Sequence, residues 1–132
     1  MRYPELVLIR GLPGSGKSSL AKKLVGFKHL EADMFWGDEY KFEKARIREA
    51  HEWCNQKTRY WLSCGNVVVS NTFTTKDELR PYFEIAKEFN IIPSVFTCRG
   101  SFGSVHNVPF EILELMKGRF EYNISDLYEE FI

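Results

Sequence analysis

Gly11-Leu12-Pro13-Gly14-Ser15-Gly16-Lys17-Ser18 fits the pattern G-x-x-x-x-G-K-[ST] at every fixed position. The four fixed positions match by chance in roughly 1 in 200 chains of this length. The flanks narrow the reading further. Leu6-Val7-Leu8-Ile9 is an apolar run that reads as a buried strand, and Ser19 to Val25 reads as a helix. A strand, a glycine-rich turn and a helix in that order form a cradle for phosphate. Glycines let the backbone curl so that successive N–H groups point inward, and the helix adds its positive end. The residues expected to bind nucleotide are Gly11, Pro13, Gly14, Ser15, Gly16, Lys17, Ser18 and Ser19. Lys17 is placed to reach the β and γ phosphates, and the Ser18 hydroxyl to hold Mg²⁺.

The rest of the chain repeats the alternation of strand and helix. A second short strand is predicted over residues 28–32 and a long helix within 41–64. The helix carries the stripe Phe42, Ala45, Ala50, Trp53, Cys54, Trp61 and Cys64. Val67-Val68-Val69-Ser70 is a third strand. Thr75-Lys76-Asp77-Glu78 resembles a capping box, with Leu79, Tyr82, Phe83, Ala86 and Phe89 on one face behind it. Pro81 is expected to mark a bend or a late helix start. Residues 91–98 read as a fourth strand. Pro109 opens a helix whose inner face is Phe110, Leu113, Met116 and Phe120, and an acidic amphipathic tail follows over 124–132. The pattern implies an α/β fold, a small parallel sheet of about four strands with helices on both faces. Ligands in such folds bind beyond the carboxyl ends of the strands.

At 132 residues the chain suits one domain, 1–132, with a Gly/Ser-rich lid at about 99–108. Lysine plus arginine and aspartate plus glutamate number 18 each, so attraction to a polyanion is not written into the net charge. Cys54, Cys64 and Cys98 form no C-x-x-C pair, which favours free thiols in a reducing compartment. No signal peptide or long apolar span appears in the sequence. The expectation is a cytoplasmic protein without membrane attachment, and a homo-oligomer is compatible with it.

Residues at the strand ends supply the candidate chemistry. Asp33 closes the second strand, where a carboxylate can accept a proton from an attacking hydroxyl or bind Mg²⁺ through water; it can equally cap a helix. Asn71 ends the third strand, where many nucleotide hydrolases carry an aspartate. It is a candidate to hydrogen-bond an acceptor or orient Ser18, or a plain turn residue. Arg99 ends the fourth strand and could neutralise charge on a transferred phosphoryl group or pair at the surface. Trp36, with Phe35 and Tyr40, could stack on an acceptor base or roof the core. His106 is an acceptor-site candidate or a loop brace. Lys41, Lys44, Arg46 and Arg48 form a basic cluster: a solvated face, or a surface for acceptor phosphates.

Taken in order, Gly11–Ser18, Asp33, Ala50-His51-Glu52-Trp53-Cys54, Val68 to Phe73, Arg80-Pro81-Tyr82, Val105 to Pro109 and Arg119-Phe120-Glu121 resemble small ATP-binding proteins common in bacteriophages. They are also similar to the kinase domain of Nedd4-binding-protein-like enzymes and, more distantly, to the kinase half of bacteriophage polynucleotide kinase. That resemblance implies a P-loop kinase that transfers the γ-phosphate of ATP to a hydroxyl, with Mg²⁺. The hydroxyl would be the 5′ end of DNA or RNA, or lie on a nucleotide, and the setting the host cytoplasm if the gene is a phage's. Asp33 matches the family's general base, Lys17 and Ser18 its phosphate and Mg²⁺ ligands. Trp36 stands where the polynucleotide kinase carries an arginine, and Asn71 where it carries an aspartate. The alternatives are a small-molecule or nucleoside kinase, and a non-catalytic ATP-binding interaction protein of a phage.

Overall fold

A computed structural model describes residues 3–37, 41–102 and 108–132. His106, Tyr40 and half of the expected lid, residues 103–107, lie outside the described residues. The elements in chain order are β1 (Leu6–Gly11), α1 (Lys17–Lys22), β2 (Phe27–Leu30), 3-10 turns at Ala32–Trp36 and Lys44–Arg46, and α2 (Ile47–Leu62). They continue with β3 (Asn66–Ser70), α3 (Lys76–Glu88), β4 (Ser94–Cys98), α4 (Phe110–Arg119) and α5 (Ser125–Phe131). The strands form one parallel sheet in the order β2-β3-β1-β4. The apolar runs of β1 and β3 take its centre, where a parallel strand is covered on both faces, while the edge strands β2 and β4 carry polar residues and are partly exposed.

Alternate residues of each strand feed two cores. Leu6, Leu8, Val67 and Val69 point to one face, where α2, α3 and α5 supply Ala50, Cys54, Leu62, Leu79, Phe83, Ile85 and Leu127. Val7, Ile9 and Val68 point to the other, against Ala21 of α1. Each fully buried aliphatic side chain contributes about 1.5–3 kcal/mol. β1 is buried along its whole length, and the P-loop grows from its carboxyl end. Gly11 N–H bonds Thr72 O at 3.1 Å, and Asn71 N–H bonds Ile9 O at 3.2 Å, so the carboxyl ends of β1 and β3 stay joined past the ladder.

Several expectations shift. The buried stripe of α2 is Ala50, Cys54, Thr58 and Leu62, a strict i+4 row. Phe42 lies before the helix and is about half exposed, Ala45 sits in the preceding 3-10 turn and is exposed, and Cys64 follows the helix end and is exposed. The Thr75 capping box forms as read, and it starts α3 at Lys76. Pro81 thus lies inside α3 rather than at its start. Pro109 does precede α4, but that helix buries none of its residues: Phe110 is 70 % exposed, Leu113 and Met116 are half-buried, and Phe120, just past its end, is the buried one. The tail forms α5, which docks through Leu127, Tyr128 and Phe131 against Phe83. No helix among the described residues is long and apolar enough to cross a membrane.

Candidate active site

The loop between β1 and α1 takes the shape its glycines permit. Gly14 and Gly16 have φ of 79° and 94°, a region costly for residues with a Cβ. At Gly11 a Cβ would collide with Ser15 Oγ and stand 2.7 Å from Cys98 O, so the loop closes tightly on β4. Phe102 N–H donates to Gly14 O at 2.7 Å, and its ring lies over Gly16 and Gly100. The loop is therefore braced from outside by the chain that leaves β4.

Lys17 opens α1 and turns back into the loop, where Nζ donates to Leu12 O at 3.0 Å. Burial pulls its pKa below the ordinary lysine value, while Glu31, Cys98 and Asp33 push the other way. A half-buried cation facing two carboxylates and a curled backbone can meet a polyphosphate without first shedding a full water shell.

Ser18 is one residue further on. Its hydroxyl donates to Glu31 Oε2. The same oxygen accepts from Ser70 Oγ at 2.7 Å and lies 2.9 Å from His29 Nε2, and His29 Nε2 is itself 2.8 Å from Ser70 Oγ. Burial pushes the Glu31 carboxyl up, but the hydrogen bonds of His29, Ser18 and Ser70 outweigh it and hold the group at about 2. Glu31 is thus a carboxylate at neutral pH, and it faces the residue expected to hold Mg²⁺. Sequence reasoning passed over it. Its signal was present in Glu31-Ala32-Asp33, two acids spaced by one residue where a strand ends.

Asp33 lies exposed in the 3-10 turn after β2, on the Lys17 side of the site. Asn71 is buried, and Oδ1 accepts the Ala32 N–H at 2.9 Å while Nδ2 reaches Cys54 Sγ at 3.8 Å. Its amide is therefore spent on the backbone beside Asp33. Arg99 is exposed, with its guanidinium 4.3 Å from the centre of the Tyr122 ring. Trp36 packs edge-on to Phe35 and Phe42 and against the main core. Ser19 is exposed on α1, and Ser15 is buried within the loop. In the basic cluster, Arg46 pairs with Glu43 and Glu49 and lies over Phe35.

A model of one protein family, described as an AAA domain, matches residues 6–101. The chain belongs to that family. This AAA-type domain is 33% identical over 91 residues to human NEDD4-binding protein 2, across 63% of this chain and 5% of that protein. It therefore spans a small part of that relative. In fold it is similar to a chain of the Pnkp1/Rnl/Hen1 RNA repair complex, with a TM-score of 0.70 at 16% identity over 100% of this chain and 47% of that one. Mycobacterium tuberculosis APS kinase CysC in complex with AMPPNP and APS gives 0.58 at 19% identity, over 87% of this chain and 69% of that one. A gluconokinase from Sinorhizobium meliloti gives 0.52 at 18%, over 99% and 74%. The AAA-type domain thus has a P-loop kinase fold, shared with kinases whose substrates differ.

A second feature missed in the sequence lies under the site of the AAA-type domain. Arg10 is fully buried in β1, immediately before the P-loop. Its Nε and Nη2 donate to Phe73 O at 2.9 and 2.7 Å, Nη2 also reaches Thr74 O at 3.3 Å, and the guanidinium lies 4.3 Å from the centre of the Phe120 ring. Phe73 adopts φ of 44°, unusual for a bulky residue. An arginine at the end of an otherwise apolar strand run was the available signal.

Proposed function

We propose that this domain is an ATP- and Mg²⁺-dependent phosphotransferase that moves the γ-phosphate of ATP to a hydroxyl, at a nucleic-acid 5′ end or on a nucleotide. One observation carries the reading. Lys17 and Ser18 open α1 at the end of the P-loop, and Asp33 stands in the turn after β2 close enough to act on the Lys17 ammonium, whereas β3 ends in Ser70, followed by Asn71, without an acid. A base at the end of β2 is placed to take a proton from an attacking hydroxyl.

Ser18, Glu31 and Ser70 offer oxygens, which suits a hard cation such as Mg²⁺, with His29 Nε2 turned to Glu31 and Ser70. When bound there, the ion would offset charge on the phosphate oxygens. In this reading the loop N–H groups and Lys17 hold the phosphates, Asp33 takes the acceptor proton, and Arg99 leaves its exposed position on Tyr122 to meet the transferred group. The fold likeness to a chain of an RNA repair complex supports a polynucleotide acceptor. A small-molecule acceptor is supported by balanced charge and by the pairing of Arg46 with Glu43 and Glu49, which occupies part of the basic cluster.

The test is incubation with γ-labelled ATP and a panel of 5′-hydroxyl DNA, 5′-hydroxyl RNA, nucleosides, nucleotides and small metabolites. Label on oligonucleotides that declines steeply with added salt is the expected result. Label on small acceptors alone would move the reading to a metabolite kinase. Unchanged ATP with every acceptor would leave a binding module.

A further inference from the structure

In P-loop enzymes that hydrolyse nucleotides, the P-loop hydroxyl shares Mg²⁺ with an aspartate at the end of a neighbouring strand. Two strands flank β1 here, β3 and β4; they end in Ser70 and Cys98, and neither is an acid. The carboxylate comes instead from one strand further out. β2 pairs with β3 in parallel, Leu30 opposite Val69, so the next residues, Glu31 and Ser70, lie side by side. Glu31 is long enough to reach past Ser70 to the P-loop. Its Oε2 meets Ser18 Oγ on the loop side and Ser70 Oγ and His29 Nε2 on the sheet side. The Glu31 and His29 side chains are only 19% and 16% exposed.

We propose that Glu31 is the metal-facing carboxylate of this site, supplied from the end of β2, with Ser70 and His29 as the props that aim it. The inference rests on the phosphotransferase reading for the role of Ser18. A hydroxyl that donates its hydrogen to Glu31 keeps oxygen lone pairs for a cation. The carboxylate supplies the negative charge that a hydroxyl pair alone would lack. Hydrogen bonds from the sheet fix the carboxylate's direction, as outer-shell partners do around metal ligands. Asp33 is then left to the acceptor, so the two acids of Glu31-Ala32-Asp33 divide the work between metal and proton.

The experiment uses Mn²⁺ as the probe and ADP as the nucleotide, followed by the electron paramagnetic resonance of unbound Mn²⁺, so no acceptor is needed. ADP affinity in EDTA is measured in parallel. Glu31→Gln should weaken Mn²⁺ binding in the presence of ADP at least tenfold while leaving ADP affinity in EDTA within twofold. Glu31→Gln with Ser70→Asp, which returns an acid to the end of β3, should regain most of the loss; a merely structural role for Glu31 predicts no such rescue. Glu31→Asp keeps the charge with less disturbance and should fall between wild type and Glu31→Gln, which preserves the test if the glutamine variant unfolds. Equal Mn²⁺ affinity in wild type and Glu31→Gln, or a parallel loss of ADP binding in EDTA, overturns the proposal. Intact Mn²⁺ and ADP binding with no labelled product on any acceptor overturns the phosphotransferase reading and leaves the Glu31 result standing.

Discussion

Asn71 holds Ala32. The Asn71 Oδ1 accepts the Ala32 N–H at 2.9 Å, and this bond ties the end of β3 to the turn that carries Asp33. Both partners are buried, so the bond has no water to replace it. Asn71→Ala leaves the Ala32 N–H unpaired and should cost about 1–3 kcal/mol in urea unfolding. It should also slow phosphoryl transfer while ATP affinity changes little, because the P-loop is not touched. Asp33→Asn makes the opposite pair: Asp33 is exposed, so stability should hold within about 0.5 kcal/mol while transfer is lost. Near-wild-type transfer by Asp33→Asn would remove it from the role of base.

Arg10 links the P-loop strand to the C-terminal part of the chain. Its guanidinium grips Phe73 O and Thr74 O and faces Phe120, while Thr74 O also accepts Glu121 N–H at 2.7 Å and Thr74 Oγ1 accepts Arg119 Nε at 3.1 Å. Burial lowers the arginine pKa, countered by Glu78, Glu121 and Tyr122. Lysine cannot span two carbonyls with a planar fork. Arg10→Lys should therefore destabilise by about 1–3 kcal/mol, read as a lower urea midpoint. Arg10→Met, which leaves Phe73 O without the fork, should do so by at least as much. Proteolysis should then cut the segment after Phe120 earlier than in wild type.

The parts legible in the sequence are those set by local pattern. The P-loop needs its glycines and lysine at fixed offsets, the capping box needs Thr75 and Glu78, and β1 and β3 declare themselves as unbroken apolar runs. Glu31 was not legible in this way, because its role depends on a strand pairing, β2 beside β3, that puts it against Ser18 across 13 residues of chain. Arg10 escaped for the same reason: its partners lie more than 60 residues away. Helix α4 was misread because its apolar spacing, Phe110, Leu113 and Met116, promises a buried face that the fold does not cover. Periodicity predicts a stripe; it does not supply the surface against which the stripe packs.

Alkaline pH should weaken the fold through Cys54 and Tyr82. Burial raises the Cys54 thiol above its ordinary value and raises the Tyr82 hydroxyl further, with Cys54 adding to the Tyr82 shift. A group whose folded pKa exceeds its unfolded one contributes stability that is full below the unfolded value and is lost as pH rises through the folded one. The loss should begin near the unfolded thiol value of about 8.5 and steepen near the unfolded tyrosine value of about 10. Urea midpoints at three values between pH 7.5 and 10.5 should fall in sequence. Cys54→Ala should flatten the first part of that fall and Tyr82→Phe the second, whatever each costs at neutral pH. Unchanged slopes in both variants would assign the alkaline loss to other groups.

Lys17 carries a stability cost that the proposed contact with phosphate would explain. Its ammonium is pulled into the loop against a desolvation penalty that Glu31, Cys98 and Asp33 do not fully offset, since its pKa stays below the ordinary value. A long apolar side chain of similar shape removes the charge and keeps the packing. Lys17→Met should therefore unfold at the same or a higher urea concentration than wild type, a gain of up to about 1 kcal/mol, despite losing the bond to Leu12 O. The same variant should lose about 3 kcal/mol or more of transition-state stabilisation in any transfer it supports, a rate loss of roughly a hundredfold or greater. A stability gain together with that rate loss would show that the lysine is kept for phosphate rather than for folding. A marked fall in stability would instead make Lys17 a structural brace of the loop.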